Sequence, residues 1–244
     1  MKSEAFGFEA QKYNDEMIIV APQLNDWGET SANQTIALVE YFLENYNIDR
    51  TKVYANGFSG GGETMSLAVG KRPELFSAYL HVSSQWDGEY EPVVKARLPV
   101  YFAIGRNDEY YGAEPTKRAY DTLYSLYEQE GLSDSEIDEL LVLDVKEHEY
   151  FTQRNVDNEH GGGGLFAYDA DIMGWLFDKQ KTADTKNELS LIIAPVADGG
   201  RSAVSIFEKA DFLPHRAPAA FTLKSVEQID GDTLWLRYLR KEKR

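Results

Sequence analysis

A serine flanked by glycines is the clearest chemical signal in this sequence. Residues 53–61 read Val-Tyr-Ala-Asn-Gly-Phe-Ser-Gly-Gly, so Gly57, Ser59 and Gly61 form a Gly-x-Ser-x-Gly pattern between an apolar run and a helical pattern. This strand–turn–helix setting is typical of a nucleophile elbow, in which the serine is strained and neighbouring chain passes close to it. The following helix points unpaired N–H groups at the serine, where an oxyanion would form. Ser59 is therefore the candidate nucleophile, and the N–H of Gly60 is a candidate oxyanion donor.

A serine hydroxyl needs a base within hydrogen-bonding distance and an acid that orients the base. The chain has four histidines, which are His81, His148, His160 and His215. His81 lies in an apolar run and His215 in a tail of different composition, whereas His160 follows a polar loop and precedes four glycines. A glycine-rich loop can approach the serine closely, so His160 is the expected base. His148, which is flanked by two glutamates, is the alternative.

The acid should follow a strand and lie between the serine and the histidine along the chain. Asp108 meets this condition because it follows the apolar run of residues 99–104 and a glycine. Asp87 and Glu109 are the alternatives. The His-Gly-Gly-Gly run from His160 also resembles the oxyanion motif of lipases, but that motif follows a strand and precedes the nucleophile. Neither condition holds here, so the histidine is interpreted as the base.

Other chemistries lack their residues. The sequence has no dinucleotide-binding or P-loop pattern, no His-Glu-x-x-His and no cysteine, so neither a metal nor another cofactor is expected. Aromatic residues follow the predicted strand ends on the side where the elbow opens; these are Trp27, Trp86, Tyr110 and Tyr111. Trp27, Trp86 and Tyr110 are the candidates for contact with a substrate, and packing is the alternative role.

The composition limits the partners. The chain holds 25 Lys and Arg against 41 Asp and Glu, a net charge of −16. This charge argues against nucleic acid and anionic membranes, and favours neutral or cationic small molecules. No apolar run approaches the ~18 residues of a membrane span, so no membrane-spanning segment is expected. The N-terminal residues lack the apolar segment of a signal peptide, which favours a cytoplasmic location. The sequence is also compatible with a homo-oligomer.

Strand and helix patterns alternate through most of the chain. Apolar runs predict strands at residues 17–21, 52–56, 78–83, 99–104 and 140–145, and amphipathic patterns predict helices at about 30–46, 60–70, 115–130 and 168–181. This alternation predicts an α/β fold with a doubly wound, mostly parallel sheet.

The composition changes near residue 180. The first 180 residues carry a net charge of −18 and 14 of the 15 tyrosines, and a polar stretch follows them. We therefore predict a catalytic domain at residues 1–180, and a linker with a β-rich extension at residues 181–244. The strands predicted in the extension are residues 189–196, 203–207, 221–226 and 233–239.

Taken as a set, these motifs resemble α/β-hydrolase esterases of the polyhydroxybutyrate-depolymerase and feruloyl-esterase type, and their predicted-peptidase relatives. The matching stretches, within residues 17–180, are Ile18–Gln23, Ile48–Tyr54 leading into Gly57–Gly61, Arg72–Ala78, Gly105–Asp108, and His160 before Met173–Phe177. The resemblance implies a hydrolase of small-molecule carboxylic esters that works through an acyl-enzyme. It implies Ser59 as nucleophile, Asp108 as acid, His160 as base and the Gly60 N–H as one oxyanion donor. A serine peptidase on the same fold is the alternative.

Such hydrolases place several strands, and a His-Gly loop with the second oxyanion donor, before the stretch that matches Ile18–Gln23. This chain has about 16 residues there, so the expected fold is an N-terminally incomplete α/β-hydrolase, and a non-catalytic binding module is a further alternative. Residues 181–244 then have two possible arrangements. They form a separate β-rich domain, or residues 189–196 pack beside residues 17–21 and the loop Asp198-Gly199-Gly200 offers an N–H toward Ser59.

Overall fold

A sheet of six parallel strands organises the part of the chain that the structure describes. The computed structural model covers residues 4–14, 16–181, 189–193, 221–230 and 233–240. The strands are β1 Met17–Val20, β2 Ile48–Phe58, β3 Ala78–Val82, β4 Val100–Gly105, β5 Leu141–Lys146 and β6 Leu189–Ile193. Their order across the sheet is β1-β6-β2-β3-β4-β5, and each neighbouring pair is parallel.

Helices cover both faces of this sheet. They are α1 Glu4–Ala10, α2 Glu29–Asn45, α3 Gly60–Lys71, α4 Glu91–Ala96, α5 Glu114–Gln129, α6 Asp134–Leu140, α7 His148–Thr152 and α8 Ala170–Asp178, with 3-10 helices at Pro73–Leu75 and Gly161–Tyr168. Val39 of α2, Met65 of α3 and Leu123 of α5 belong to one apolar core. Phe6 of α1 and Ile172 of α8 belong to a second. Two cores on opposite faces confirm the predicted doubly wound α/β sheet.

Strands β3 and β4 lie inside the sheet, and every residue in them is buried. Successive side chains of a strand point to opposite faces. In β2, accordingly, Val53 and Ala55 belong to one core and Tyr54 to the other. A strand that is buried on both faces reads as a continuous apolar run, which is why the sequence predicts these strands.

Some elements differ from the sequence-based expectation. The short helices α1, α4, α6 and α7 have only five to seven residues, too few for an amphipathic period to stand out. The helix expected from residue 168 begins at Ala170. The reason is that residues 161–168 form a 3-10 helix, and the Asp169 side chain then caps α8 by accepting from the N–H groups of Asp171 and Ile172.

Residues 189–193 lie inside the sheet. Strand β6 pairs with β1 along Met17 to Val20 and with β2 along Val53 to Ala55, so β1 is joined to the other strands through β6. The strands β7 Phe221–Asp230 and β8 Thr233–Arg240 form a separate antiparallel hairpin.

Two further predictions lie outside the described residues. They are the strand at residues 203–207 and the loop Asp198-Gly199-Gly200. The division into domains at residues 1–180 and 181–244 stays a prediction.

Candidate active site

The chain turns sharply at Ser59, between the end of β2 and the start of α3. Ser59 has φ 55° and ψ −129°, a positive-φ conformation that a non-glycine residue adopts only where the surrounding structure imposes it. The Ser59 N–H donates to the carbonyl oxygen of Val82 in β3 at 3.1 Å, and the Gly62 N–H donates to the Ser59 carbonyl at 2.7 Å. This geometry is that of a nucleophile elbow at the carboxyl end of the sheet.

Two glycines beside Ser59 are required by close approach. A Cβ atom on Gly57 would lie 2.6 Å from the carbonyl oxygen of Gly61 in α3. A Cβ atom on Gly60 would lie 2.7 Å from the indole of Trp27. Both distances are far below normal van der Waals contact, so a side chain at either position would displace the helix or the indole.

The structure brings together the three residues that the sequence predicts as a triad. The Ser59 Oγ lies 3.0 Å from His160 Nε2. His160 Nδ1 lies 2.9 Å from Asp108 Oδ2 and 3.1 Å from Oδ1. An ionised carboxylate only accepts, so Nδ1 carries the proton of the neutral imidazole and Nε2 accepts from the serine hydroxyl. The base and the acid are thus in the arrangement that nucleophilic catalysis by serine needs.

The surroundings hold Asp108 and His160 in place. The Asp108 side chain is buried, and its Oδ1 also accepts from the backbone N–H groups of Tyr110 at 3.0 Å and Tyr111 at 2.8 Å. The rings of Phe58 and Tyr110 both stack on the imidazole, with centroids 5.4 Å and 5.2 Å away. These contacts restrict both the carboxylate and the ring that it orients.

The alternative acids have other partners. Glu109 accepts from the backbone N–H of Glu159 at 3.0 Å and of His160 at 2.9 Å, so it binds the histidine loop rather than the imidazole. Burial raises the pKa of Glu109, but these N–H donors outweigh it, and the net effect is a lowered pKa. Asp87 is exposed and accepts from the Gln85 side chain at 3.1 Å.

The alternative base also has another partner. The Nδ1 atom of His148 lies 3.0 Å from Glu159 Oε1, and the His148 side chain is 53% exposed. In the described part of the chain it has no hydrogen bond to Ser59. The geometry therefore favours His160 over His148 for the role of base.

A tyrosine and a glutamate beside the nucleophile were not among the candidate site residues. The Tyr111 hydroxyl donates to Glu63 Oε1 at 2.6 Å. Burial raises the pKa of Glu63, and the hydrogen bond from Tyr111 offsets only part of this. Burial also raises the pKa of Tyr111, and the hydrogen bond to Glu63 raises it further. Glu63 lies four residues after Ser59, about one helical turn into α3. That spacing is the sequence signal that could have found it.

The three aromatic candidates have different surroundings. Trp27 is 49% exposed and packs over Gly60, and Tyr110 is 63% exposed beside His160. Both side chains are exposed, so their role as substrate contacts stays a prediction. Trp86 needs a correction, because it is only 9% exposed, stacks on Tyr90 and donates its indole N–H to the Gly88 carbonyl at 2.9 Å. Its indole packs in the core and does not face a cleft.

Neither a metal site nor a membrane span is found in the ranges described above. Within them, no three His, Asp or Glu side chains are grouped so that they could hold a metal ion. None of the helices traced there has both the length and the apolar character needed to cross a bilayer.

Comparisons with known proteins bear on the fold. The model of the prolyl oligopeptidase family matches residues 23–129, a span that includes Ser59 and Asp108 and ends before His160. No curated protein sequence matches the chain. Among solved structures, a thermostable esterase superposes with a TM-score of 0.51 at 18% identity, covering 63% of this chain and 38% of that chain. The chain has the α/β-hydrolase fold.

Two peptidases are also among the solved structures that match the chain. An acylaminoacyl peptidase from Pyrococcus horikoshii matches at 12% identity and a TM-score of 0.39, covering 64% of this chain and 29% of that chain. Oligopeptidase B from Leishmania major matches at 13% identity and a TM-score of 0.37, covering 64% of this chain and 26% of that chain. This chain spans well under half the length of the thermostable esterase. The family match and the α/β-hydrolase fold together support a serine hydrolase.

Proposed function

We propose that this protein is a serine hydrolase that cleaves carboxylic esters of small molecules through an acyl-enzyme intermediate. Ser59 is the nucleophile, His160 the general base and Asp108 the acid that orients the imidazole. The observation that carries the proposal is the continuous chain of hydrogen bonds from Ser59 Oγ through both ring nitrogens of His160 to the buried carboxylate of Asp108. Each link lies within the range that proton transfer requires.

The reaction proceeds in two halves. Ser59 Oγ attacks the carbonyl carbon of the ester while His160 Nε2 takes the hydroxyl proton, and Asp108 stabilises the imidazolium that forms. The imidazolium then gives this proton to the leaving alkoxide, which departs as the alcohol. In the second half a water molecule attacks the acyl-enzyme, again with His160 as base, and releases the carboxylic acid and free Ser59.

The Gly60 N–H is the proposed donor to the oxyanion of each tetrahedral intermediate. Gly60 is the first residue of α3, and the first N–H groups of a helix have no partner within the helix. The positive end of the helix dipole adds to this effect. Removing one oxyanion donor typically slows an enzyme by a factor of about 10²–10³.

The substrate side of Ser59 is aromatic and acidic. The exposed rings of Trp27 and Tyr110 flank the serine, and Glu63 lies one helical turn beyond it. Aromatic faces bind apolar or planar groups, and the net charge of −16 disfavours anionic substrates. A neutral or cationic ester therefore fits this surface best.

Two other functions are compatible with parts of these observations. The prolyl oligopeptidase match over residues 23–129 favours a peptidase on the same fold, since the same triad cleaves amides. A non-catalytic binding module would keep the fold without an activated serine. Turnover of p-nitrophenyl acetate and of a peptide p-nitroanilide separates these functions.

The proposal predicts that the ester is hydrolysed much faster than the anilide. We expect His160→Ala to abolish hydrolysis without unfolding the protein, and His148→Ala to keep most of the activity. Preference for the anilide would indicate the peptidase, and no turnover of either compound would favour the binding module. Loss of activity in His148→Ala but not in His160→Ala would show that the base is assigned wrongly.

A further inference from the structure

A buried carboxylate lies next to His160 without taking part in the proposed proton transfer. Glu159 is 1% exposed. Its Oε2 accepts from the backbone N–H of Asn107 at 2.7 Å, and its Oε1 accepts from Asn107 Nδ2 at 3.1 Å and faces His148 Nδ1 at 3.0 Å. Burying a charge is costly unless hydrogen bonds compensate it, and here three donors do so.

The packing around Glu159 shows that this place is built for the glutamate. A Cβ atom on Gly105, the last residue of β4, would lie 2.5 Å from Glu159 Oε2 and 2.7 Å from its Cβ. Only a residue without a side chain at position 105 leaves room for the carboxylate. Glu159 therefore lies directly against the end of β4, from which the loop with Asp108 starts.

A second carboxylate makes the reverse connection. The side chain of Glu109 accepts from the backbone N–H groups of Glu159 at 3.0 Å and His160 at 2.9 Å. Each loop thus sends one carboxylate to the backbone of the other. We call this pair, Glu109 and Glu159, the two-loop clamp.

We propose that the two-loop clamp consists of positioning residues that fix the imidazole of His160 between Asp108 and Ser59; this rests on the proposed function. Asp108 lies between Asn107, which Glu159 binds, and Glu109, which binds the backbone of His160. The acid and the base are therefore each anchored at the adjacent peptide groups. A displacement of about 1 Å at a reacting group can slow catalysis about 10²-fold, so small errors here matter.

The test replaces each clamp carboxylate and measures kcat and KM for p-nitrophenyl acetate. In Glu159→Gln one carboxylate oxygen becomes an NH₂ group, which cannot accept from the donors of Asn107 or from His148. We expect kcat to fall about 10- to 100-fold while KM changes less than about twofold. The rate of fluorophosphonate labelling should fall by the same factor as kcat.

Glu147→Gln is the matched control. Glu147 also contacts the loop that contains Asp108, because its carboxylate accepts a hydrogen bond from Arg106 Nε at 2.8 Å. Its side chain is 58% exposed, however, and binds only another side chain. Glu147 directly follows β5 and directly precedes His148, so it lies outside both loops of the clamp. This variant should keep kcat within about twofold of the parent, as expected for an exposed ion pair.

Glu109→Ala covers the case in which Glu159→Gln fails to fold. Glu109 is exposed, so its loss should leave the thermal midpoint close to the parent value while kcat falls. If both folded variants keep kcat within twofold of the parent, or if Glu147→Gln loses as much as they do, the clamp proposal is wrong. If the parent protein itself neither hydrolyses the ester nor reacts with the probe, the proposed function fails instead.

Discussion

Acidification should destabilise this protein through one buried histidine, His81. Its side chain is fully buried in β3, where Nε2 lies 3.2 Å from the Ser84 carbonyl oxygen and Nδ1 lies 2.7 Å from the Tyr79 hydroxyl. A carbonyl oxygen only accepts, so Nε2 carries the proton of the neutral ring and Tyr79 donates to Nδ1. Burial lowers the pKa of His81 from 6.5 to about 4, against the hydrogen bond to Ser84.

The size and sign of the effect follow from this pKa. Above pH 6.5 the folded and unfolded chains both hold a neutral His81. Below it the unfolded chain binds a proton that the folded chain does not, so stability is lost as the pH falls. At about 1.4 kcal/mol per pKa unit, the free energy of unfolding should drop by about 2 to 3 kcal/mol between pH 7.5 and 4.5, and little further once the pH is below 4.

Urea unfolding followed by circular dichroism, repeated from pH 7.5 to 4.5, measures this loss. The parent is compared with His81→Gln, which does not titrate, so that contributions from other groups cancel in the difference. The difference in the free energy of unfolding between the parent and the variant should change by about 2 to 3 kcal/mol, to the disadvantage of the parent, from pH 7.5 to pH 4.5. If the free energy of unfolding of the parent and of His81→Gln falls by the same amount with pH, His81 is not the cause of the acid destabilisation.

Two further predictions concern the acid and the sixth strand. Asp108→Asn should lower kcat by about 10⁴-fold with little change in KM, because it permits the wrong tautomer of His160. Asp87→Asn should leave kcat nearly unchanged. Steady-state kinetics measures both variants, and the reverse pattern would assign the role of acid to Asp87. Deleting residues 184–244 removes β6 from between β1 and β2, so we expect an insoluble or unfolded fragment by gel filtration and circular dichroism; a soluble, probe-reactive fragment would contradict this.

The candidate triad could be predicted because each member is marked by local sequence. The elbow needs glycines at fixed positions around Ser59. A Cβ atom placed on Gly57 would lie only 2.6 Å from the carbonyl oxygen of Gly61, which shows why. Asp108 follows a strand whose six residues are all buried and therefore apolar. His160 is one of only four histidines, and it alone precedes a run of four glycines. Local rules of this kind do not need the tertiary structure.

The features that the sequence could not place depend on contacts between distant segments. Trp86 follows a strand end as Trp27 and Tyr110 do, but the unpredicted helix α4 begins just after it, and Tyr90 covers its ring at 5.6 Å. The clamp carboxylates read as ordinary loop glutamates, because their partners lie about 50 residues away. The position of β6 between β1 and β2 joins segments that are more than 130 residues apart. Neither period nor propensity reports such pairings.

Covalent labelling with a fluorophosphonate, followed by peptide mass spectrometry, shows directly whether Ser59 is an activated nucleophile. The probe reacts only with a serine that a neighbouring base activates. We expect one probe per chain, located on Ser59, and no labelling of Ser59→Ala or His160→Ala. No labelling of the folded parent, or equal labelling of Ser59→Ala, would contradict the claim that Ser59 is an activated nucleophile.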